Sequence, residues 1–191
     1  MKYLIAGLGN IGNEYAHTRH NIGFDVVAAF VQKHGGTFRS DRLAYVADVK
    51  YRGRLFVCIC PTTYMNLSGK AVKYWLEKEK IALEKSMVVL DEISLPLSKL
   101  RINPGGSDGG HNGLRSIQEL LQTTNYPRLR FGVGNVFPKG MQSEYVLGKW
   151  NKEEEALVKL KIEKAVEGIE IFAFQGINAA MNEINSKEYS L

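Results

Sequence analysis

At 191 residues, with 45% hydrophobic and 24% charged side chains, the chain has the balance of a soluble globular domain with one sizeable core. No apolar run approaches the roughly 20 residues that cross a bilayer. Met1-Lys2 is followed by only four apolar residues before Gly7, which does not fit a cleaved leader, so a cytoplasmic location is expected. The net charge of +5 is compatible with a polyanionic partner, although the basic residues are dispersed, crowding only between Arg39 and Arg54 and between Lys99 and Arg130.

In chain order, KYLIAGL (2–8) reads as a buried strand, and IGFDVVAAFVQKHGG (22–36) as a helix that stops at a glycine pair. LAYVADVKY and RLFVCIC, separated by Arg52-Gly53, read as a hairpin. Within it Cys58 and Cys60 alternate, which suits two buried thiols on one face better than a disulfide framework, and without a second cysteine pair they do not make a zinc site. SGKAVKYWLEKEK is a second helix, SMVVLDE a buried strand ending in acids, LSKLRIN a further strand, HNGLRSIQELLQ a third helix and RLRFGVG another strand. Asn151 and Glu154 form a capping-box pattern that opens a long C-terminal helix, expected to cover the core. The expected fold is α/β: a single domain over 1–191, with a twisted mixed β-sheet flanked by helices in a three-layer sandwich.

Gly7-Leu8-Gly9-Asn10-Ile11-Gly12 fits the dinucleotide fingerprint G-x-G-x-x-G, but its context does not. A polar stretch, NEYAHTRHN, follows Gly12 where a helix should open. Asp25 lies inside a predicted helix rather than at a strand end. The glycines are instead read as clearing space for a ligand backbone at the strand end, where Asn10 sits. Gly105-Gly106-Ser107-Asp108-Gly109 fits the nucleophile elbow G-x-S-x-G, yet the only later histidine is His111, too local to complete a triad. A serine hydrolase using Ser107 therefore ranks low, and no phosphate-binding P-loop is present.

Several polar residues fall where strands end: Asn10, His20, Asn66, Asp91, His111 and Asn112. A His with an Asp and several Asn, without a credible side-chain nucleophile, points to water as attacking group. His would be the general base, Asp its support, and the amides would hold substrate and oxyanion. Blander roles compete. Asn66 and Asn112 could be helix N-caps, Asp91 could cap a loop, and His17 with His20 has metal-like spacing but lacks a third ligand.

GLGNIGNEYAHTRHNIGFDVV, PTTYMNLSGKAV, LDEISLPLSKLRI, GGSDGGHNGLRSI, RLRFGVG and YVLGKW, in this order from residue 4 to about 150, resemble bacterial-type peptidyl-tRNA hydrolase. The resemblance implies a cytoplasmic, monomeric, metal- and cofactor-independent esterase. Such an enzyme cleaves peptide from tRNA and so recycles tRNA from abandoned translation. It also implies that His20 is catalytic with Asp91 supporting it. Asn10, Asn66 and Asn112 would position peptide and water, Tyr15 and Met65 would line the substrate site, and His111 would play a supporting role. Three positions depart from the pattern. Ile11 replaces a proline, Ser94 an acid, and Asn103 one of two basic residues expected at the tRNA 5′-phosphate. Arg130 matches the other, and Arg101, two residues from Asn103, would share its face on a strand. An RNA-binding module without chemistry is the remaining alternative; retention of His20 and Asp91 argues against it.

Overall fold

The run KYLIAG forms strand β1 (Lys2–Gly7), whose alternation divides the protein into two cores. Tyr3 and Ile5 enter one core, Leu4 and Ala6 the other. The structure is a computed structural model that describes residues 1–191. The other strands are β2 (Arg39–Asp41), β3 (Ala44–Tyr51), β4 (Arg54–Pro61), β5 (Ser86–Glu92), β6 (Leu100–Asn103) and β7 (Arg128–Gly132). They form one seven-stranded sheet in the order β2-β3-β4-β1-β5-β7-β6. The centre, β4-β1-β5-β7, is parallel, and both edges are antiparallel. The expected hairpin closes through Arg52 (φ 48°) and Gly53 (φ 77°), the paired left-handed conformation of a tight two-residue turn.

Helices α1 (Ile22–Lys33), α5 (Lys152–Gln175) and α6 (Ile177–Ile184) cover one face. Helices α2 (Ser68–Glu79) and α3 (Asn112–Leu121) cover the other, giving the three layers expected. The Asn151–Glu154 capping box is formed at both of its bonds and opens α5. Cys58 and Cys60 are free, buried on the same core face, and burial pushes the Cys60 thiol up to about 12. Helix α1 stops at Lys33, before the glycine pair, and β6 begins only at Leu100. Three elements carried no usable pattern in the sequence. They are the three-residue polar edge β2, the five-residue α4 (Gln142–Val146), and α6, split from α5 by Gly176 at φ 94°.

The chain crosses from β1 through α1 to the β2–β4 side, then back through α2 to β5, so β1 lies at a topological switch point. The glycines of the fingerprint serve this crossing. A Cβ on Gly7 would stand 2.2 Å from the Gly23 carbonyl oxygen, and one on Gly9 would stand 2.9 Å from Asn21 Oδ1 and from the Phe24 ring. A Cβ on Gly23 would meet Val89 O at 2.4 Å and Leu8 N at 2.6 Å. This corrects the sequence reading. The space cleared at Gly7 and Gly9 is filled by the protein's own α1 entry, which lets that helix start directly on the ends of β1 and β5.

Replacing Gly23 by Ala is therefore expected to destabilise the fold by about 1–3 kcal/mol or more, because the obstructing atoms are backbone. Urea unfolding should show a lower midpoint with unchanged slope; an unshifted midpoint would contradict the packing described.

Candidate active site

Three segments meet at the carboxyl edge of β1 and β5. Asp91 is the penultimate residue of β5 and is buried. His20 sits on the single turn Arg19–Asn21 that leads into α1, and His111 immediately precedes α3. His20 Nδ1 lies 2.9 Å from Asp91 Oδ2 and 3.0 Å from Oδ1, while His111 Nε2 lies 2.8 Å from Oδ1. One carboxylate thus joins two imidazoles.

The helix start assigns the protons. His111 Nδ1 accepts the backbone N–H groups of Gly113 (3.1 Å) and Leu114 (3.4 Å), so it carries a lone pair. The His111 proton is then on Nε2, donated to Asp91. An ionised Asp91 accepts from both rings, so His20 donates from Nδ1 and keeps an unprotonated Nε2 on the cleft side. Burial opposes charging of His20, but the attraction and hydrogen bond of Asp91 outweigh it, and the imidazole is held above its ordinary 6.5. Burial likewise opposes ionisation of Asp91; the two histidines overcome it and hold the carboxyl well below the usual carboxylate range.

The cleft beside this centre has a volume of about 310 Å³ and is lined by Asn10, His20, Met65, Asn66, Asp91, His111 and Asn112, among others. Seven residues singled out in the sequence are thereby brought together. Asn10 Oδ1 accepts the Met65 N–H at 2.7 Å, which leaves its amide Nδ2 as the end free to donate. Asn21, which sequence reasoning missed, holds Asn10 from behind: its Oδ1 accepts the Asn10 N–H and its Nδ2 donates to the Asn10 carbonyl. Asn66 and Asn112 are exposed. Neither is a side-chain cap, since Leu67 precedes α2 without a capping bond and the His111 ring caps α3. Also unforeseen in the lining are Ile93, Gln142, Ser143 and Val146 of α4, and Leu147 just after it.

Tyr15 does not line this cleft. Its carbonyl instead accepts the Thr18 hydroxyl at 2.8 Å and braces the turn before His20. His17 does not join His20; it pairs with Asp25 at 3.0 Å on the outside of α1. Ser107 is exposed, and neither nitrogen of His111 has a lone pair left to activate it. His20, Asp91 and His111 do bring ligand-type atoms within 4.8 Å of one another. Those atoms are already closed on each other through hydrogen bonds, and a cation at about 2.0–2.2 Å from each would have to displace both bridging protons.

A second cavity, of about 580 Å³, adjoins the first through Glu92, Ile93 and Gly109 and contains Arg101, Asn103 and Arg130. Arg101 and Arg130 are directly opposed across the β6–β7 pair, hence on one face. Arg130 is engaged by Glu92 Oε1 (2.7 Å), Asn103 Oδ1 (3.2 Å) and the Ser107 carbonyl (3.3 Å), whereas Arg101 is exposed.

An open mixed sheet with a His–Asp–His centre and three asparagines in one cleft defines an α/β protein with a polar site at its topological switch point. The family model for peptidyl-tRNA hydrolase matches residues 4–190. A peptidyl-tRNA hydrolase of Cytophaga hutchinsonii is 50% identical over 188 residues, covering 98% of this chain and 100% of the relative. One from Parabacteroides distasonis is 49% identical over 187 residues, with coverage of 98% and 100%. The crystal structure of peptidyl-tRNA hydrolase from Acinetobacter baumannii superimposes with a TM-score of 0.92 at 36% identity, over 97% of this chain and 95% of that one. The chain belongs to the peptidyl-tRNA hydrolase family.

The His20 imidazole is expected to titrate above 6.5 in the wild type. In Asp91→Asn the raising influence is gone and burial remains, so its pKa should fall below 6.5; histidine NMR titration measures both. No downward shift in the variant would mean that Asp91 does not control His20.

Proposed function

We propose that the chain hydrolyses the ester bond between a peptide, or an N-blocked aminoacyl group, and tRNA, with water as the nucleophile. The observation that carries the reading is a His20 Nε2 left free toward a cleft that holds three asparagines and no activated side-chain nucleophile. His20 removes a proton from water as it attacks the ester carbonyl, and Asp91 stabilises the imidazolium that forms. The proton then passes from the imidazolium to the departing ribose oxygen. Asn10 Nδ2, Asn66 and Asn112 hold the peptide carbonyls and the developing oxyanion, Met65 packs against the substrate, and His111 keeps Asp91 ionised and oriented. Neither a metal nor a cofactor takes part. We further propose that the enzyme acts as a cytoplasmic monomer; no helix is long and apolar enough to cross a membrane.

For tRNA, the Arg101–Arg130 cavity is the phosphate contact, with exposed Arg101 taking the place of the basic residue absent at Asn103. With Arg130 paired to Glu92, Arg101 is the cation left to meet a phosphate.

Release of an N-acetylated aminoacyl group from its tRNA tests the chemistry. His20→Ala should lose roughly 10²–10⁴-fold in kcat, with folding intact and wild-type turnover indifferent to a chelator. Wild type that binds the tRNA and releases nothing would instead support a binding module. In Arg101→Ala, tRNA binding should weaken and the slope of log affinity against log salt should become shallower by about 1; an unchanged slope removes Arg101 from the phosphate contact.

A further inference from the structure

We infer that Arg19 is a positioning residue that clamps the α4 wall of the cleft onto the turn carrying His20, and so sets how tightly the cleft closes on substrate. The inference rests on the function proposed above for that cleft. Arg19 precedes His20 in the sequence, yet its side chain leaves the turn and enters the segment between α4 and α5. Its guanidinium lies over two aromatic rings, 4.2 Å from the Tyr145 ring centroid and 5.2 Å from that of Trp150. Nη1 donates to the Tyr145 carbonyl and Nη2 to Glu154 Oε1, each at 3.2 Å. The backbone joins the same contact: the Arg19 N–H donates to the Gly148 carbonyl at 3.0 Å, and Thr18 bridges Lys149.

The elements gripped by Arg19 are anchored independently. The Tyr145 hydroxyl donates to the Val133 carbonyl beyond β7 at 2.6 Å, and Glu154 Oε1 also accepts the Asn151 N–H of the capping box. Arg19 therefore ties the His20 turn to α4 and to the start of α5 at once. Helix α4 needs such a tie. It has five residues, of which only Val146 is buried, so its own core contacts hold it weakly, although it supplies part of the cleft lining. The side chain is 12% exposed, and only an arginine provides a planar fork that bonds two acceptors while stacking on a ring.

Substrate affinity scales with the fraction of molecules whose cleft is closed. Arg19→Met should therefore raise KM about tenfold while leaving kcat at saturating substrate within roughly threefold. Arg19→Lys should not restore KM. Gly148→Ala, whose Cβ would stand 2.9 Å from Arg19 Nη1, should act in the same direction without removing a charge, which keeps the test available if Arg19→Met folds poorly. Amide hydrogen exchange over residues 142–148 should accelerate in both variants, a readout independent of turnover. Unchanged KM and exchange, a fall in kcat alone, or full rescue by lysine would each overturn the clamp. If wild type proves inactive on peptidyl-tRNA, the functional reading fails while the exchange experiment still decides the clamp.

Discussion

The site depends on one carboxylate shared between two rings. A buried, ionised Asp91 is costly alone, and the structure meets that cost with N–H donors from His20 and His111. The arrangement works because the two histidines differ. His111 has its second nitrogen committed to the first N–H groups of α3, so it behaves as a fixed donor. His20 has its second nitrogen on the cleft side and can change protonation. A helix N-terminus thus specifies, through one imidazole and one carboxylate, the tautomer of another imidazole.

Bringing both imidazoles within about 3 Å of the Asp91 carboxylate requires close backbone approach. His20 is carried by the entry to α1, Asp91 by the end of β5, and His111 by the entry to α3. Gly23 at the start of α1 touches backbone of β5 and Leu8, so a side chain there would push the His20 turn off the sheet. Gly113 plays the same part for α3, where a Cβ would stand 2.8 Å from Leu8 Cδ1 and Met65 Sδ. Glycine in both helix entries gives up helix propensity in exchange for proximity. The apparent dinucleotide fingerprint is a by-product of this packing. It shares with dinucleotide folds the need for a helix to approach a strand end, but not the ligand.

Most of the sheet was legible because its strands are short apolar runs bounded by turns or acids, and β5 coincides with SMVVLDE. The helices with a clear apolar stripe were legible to within a few residues. Elements without periodicity were not: β2 is three polar residues, and α4 is too short to show a repeat. In the site, residue type and position at strand ends located His20, Asp91 and the three cleft asparagines. Capping statistics pointed the wrong way for Asn66 and Asn112, because a histidine ring takes the cap of α3 and no side chain caps α2. Asn21 and Arg19 read as ordinary polar residues in TRHN. Asn21 pairs with Asn10 eleven positions back, and Arg19 with Tyr145 at a separation of 126; only the fold reveals either contact.

Charge in the neighbouring cavity follows the same logic of shared partners. Arg101 and Arg130 face each other across antiparallel strands, a placement that costs stability if both remain unpaired. Glu92, next to Asp91 on β5, takes Arg130 at 2.7 Å and leaves Arg101 as the exposed cation. Because Glu92 also lines the cleft, the acid pair at the end of β5 divides its labour: Asp91 orders the imidazoles, and Glu92 orders the guanidinium. Arg130 in turn donates to the Ser107 carbonyl in the glycine-rich loop that ends at His111. The loop that resembles a nucleophile elbow is thereby held as a bridge between the His–Asp–His centre and the cavity that holds the two arginines. Its glycines serve backbone geometry, with Gly106, Gly109 and Gly110 all at positive φ. Both cavities thus take their order from one strand end, the first from Asp91 and the second from Glu92.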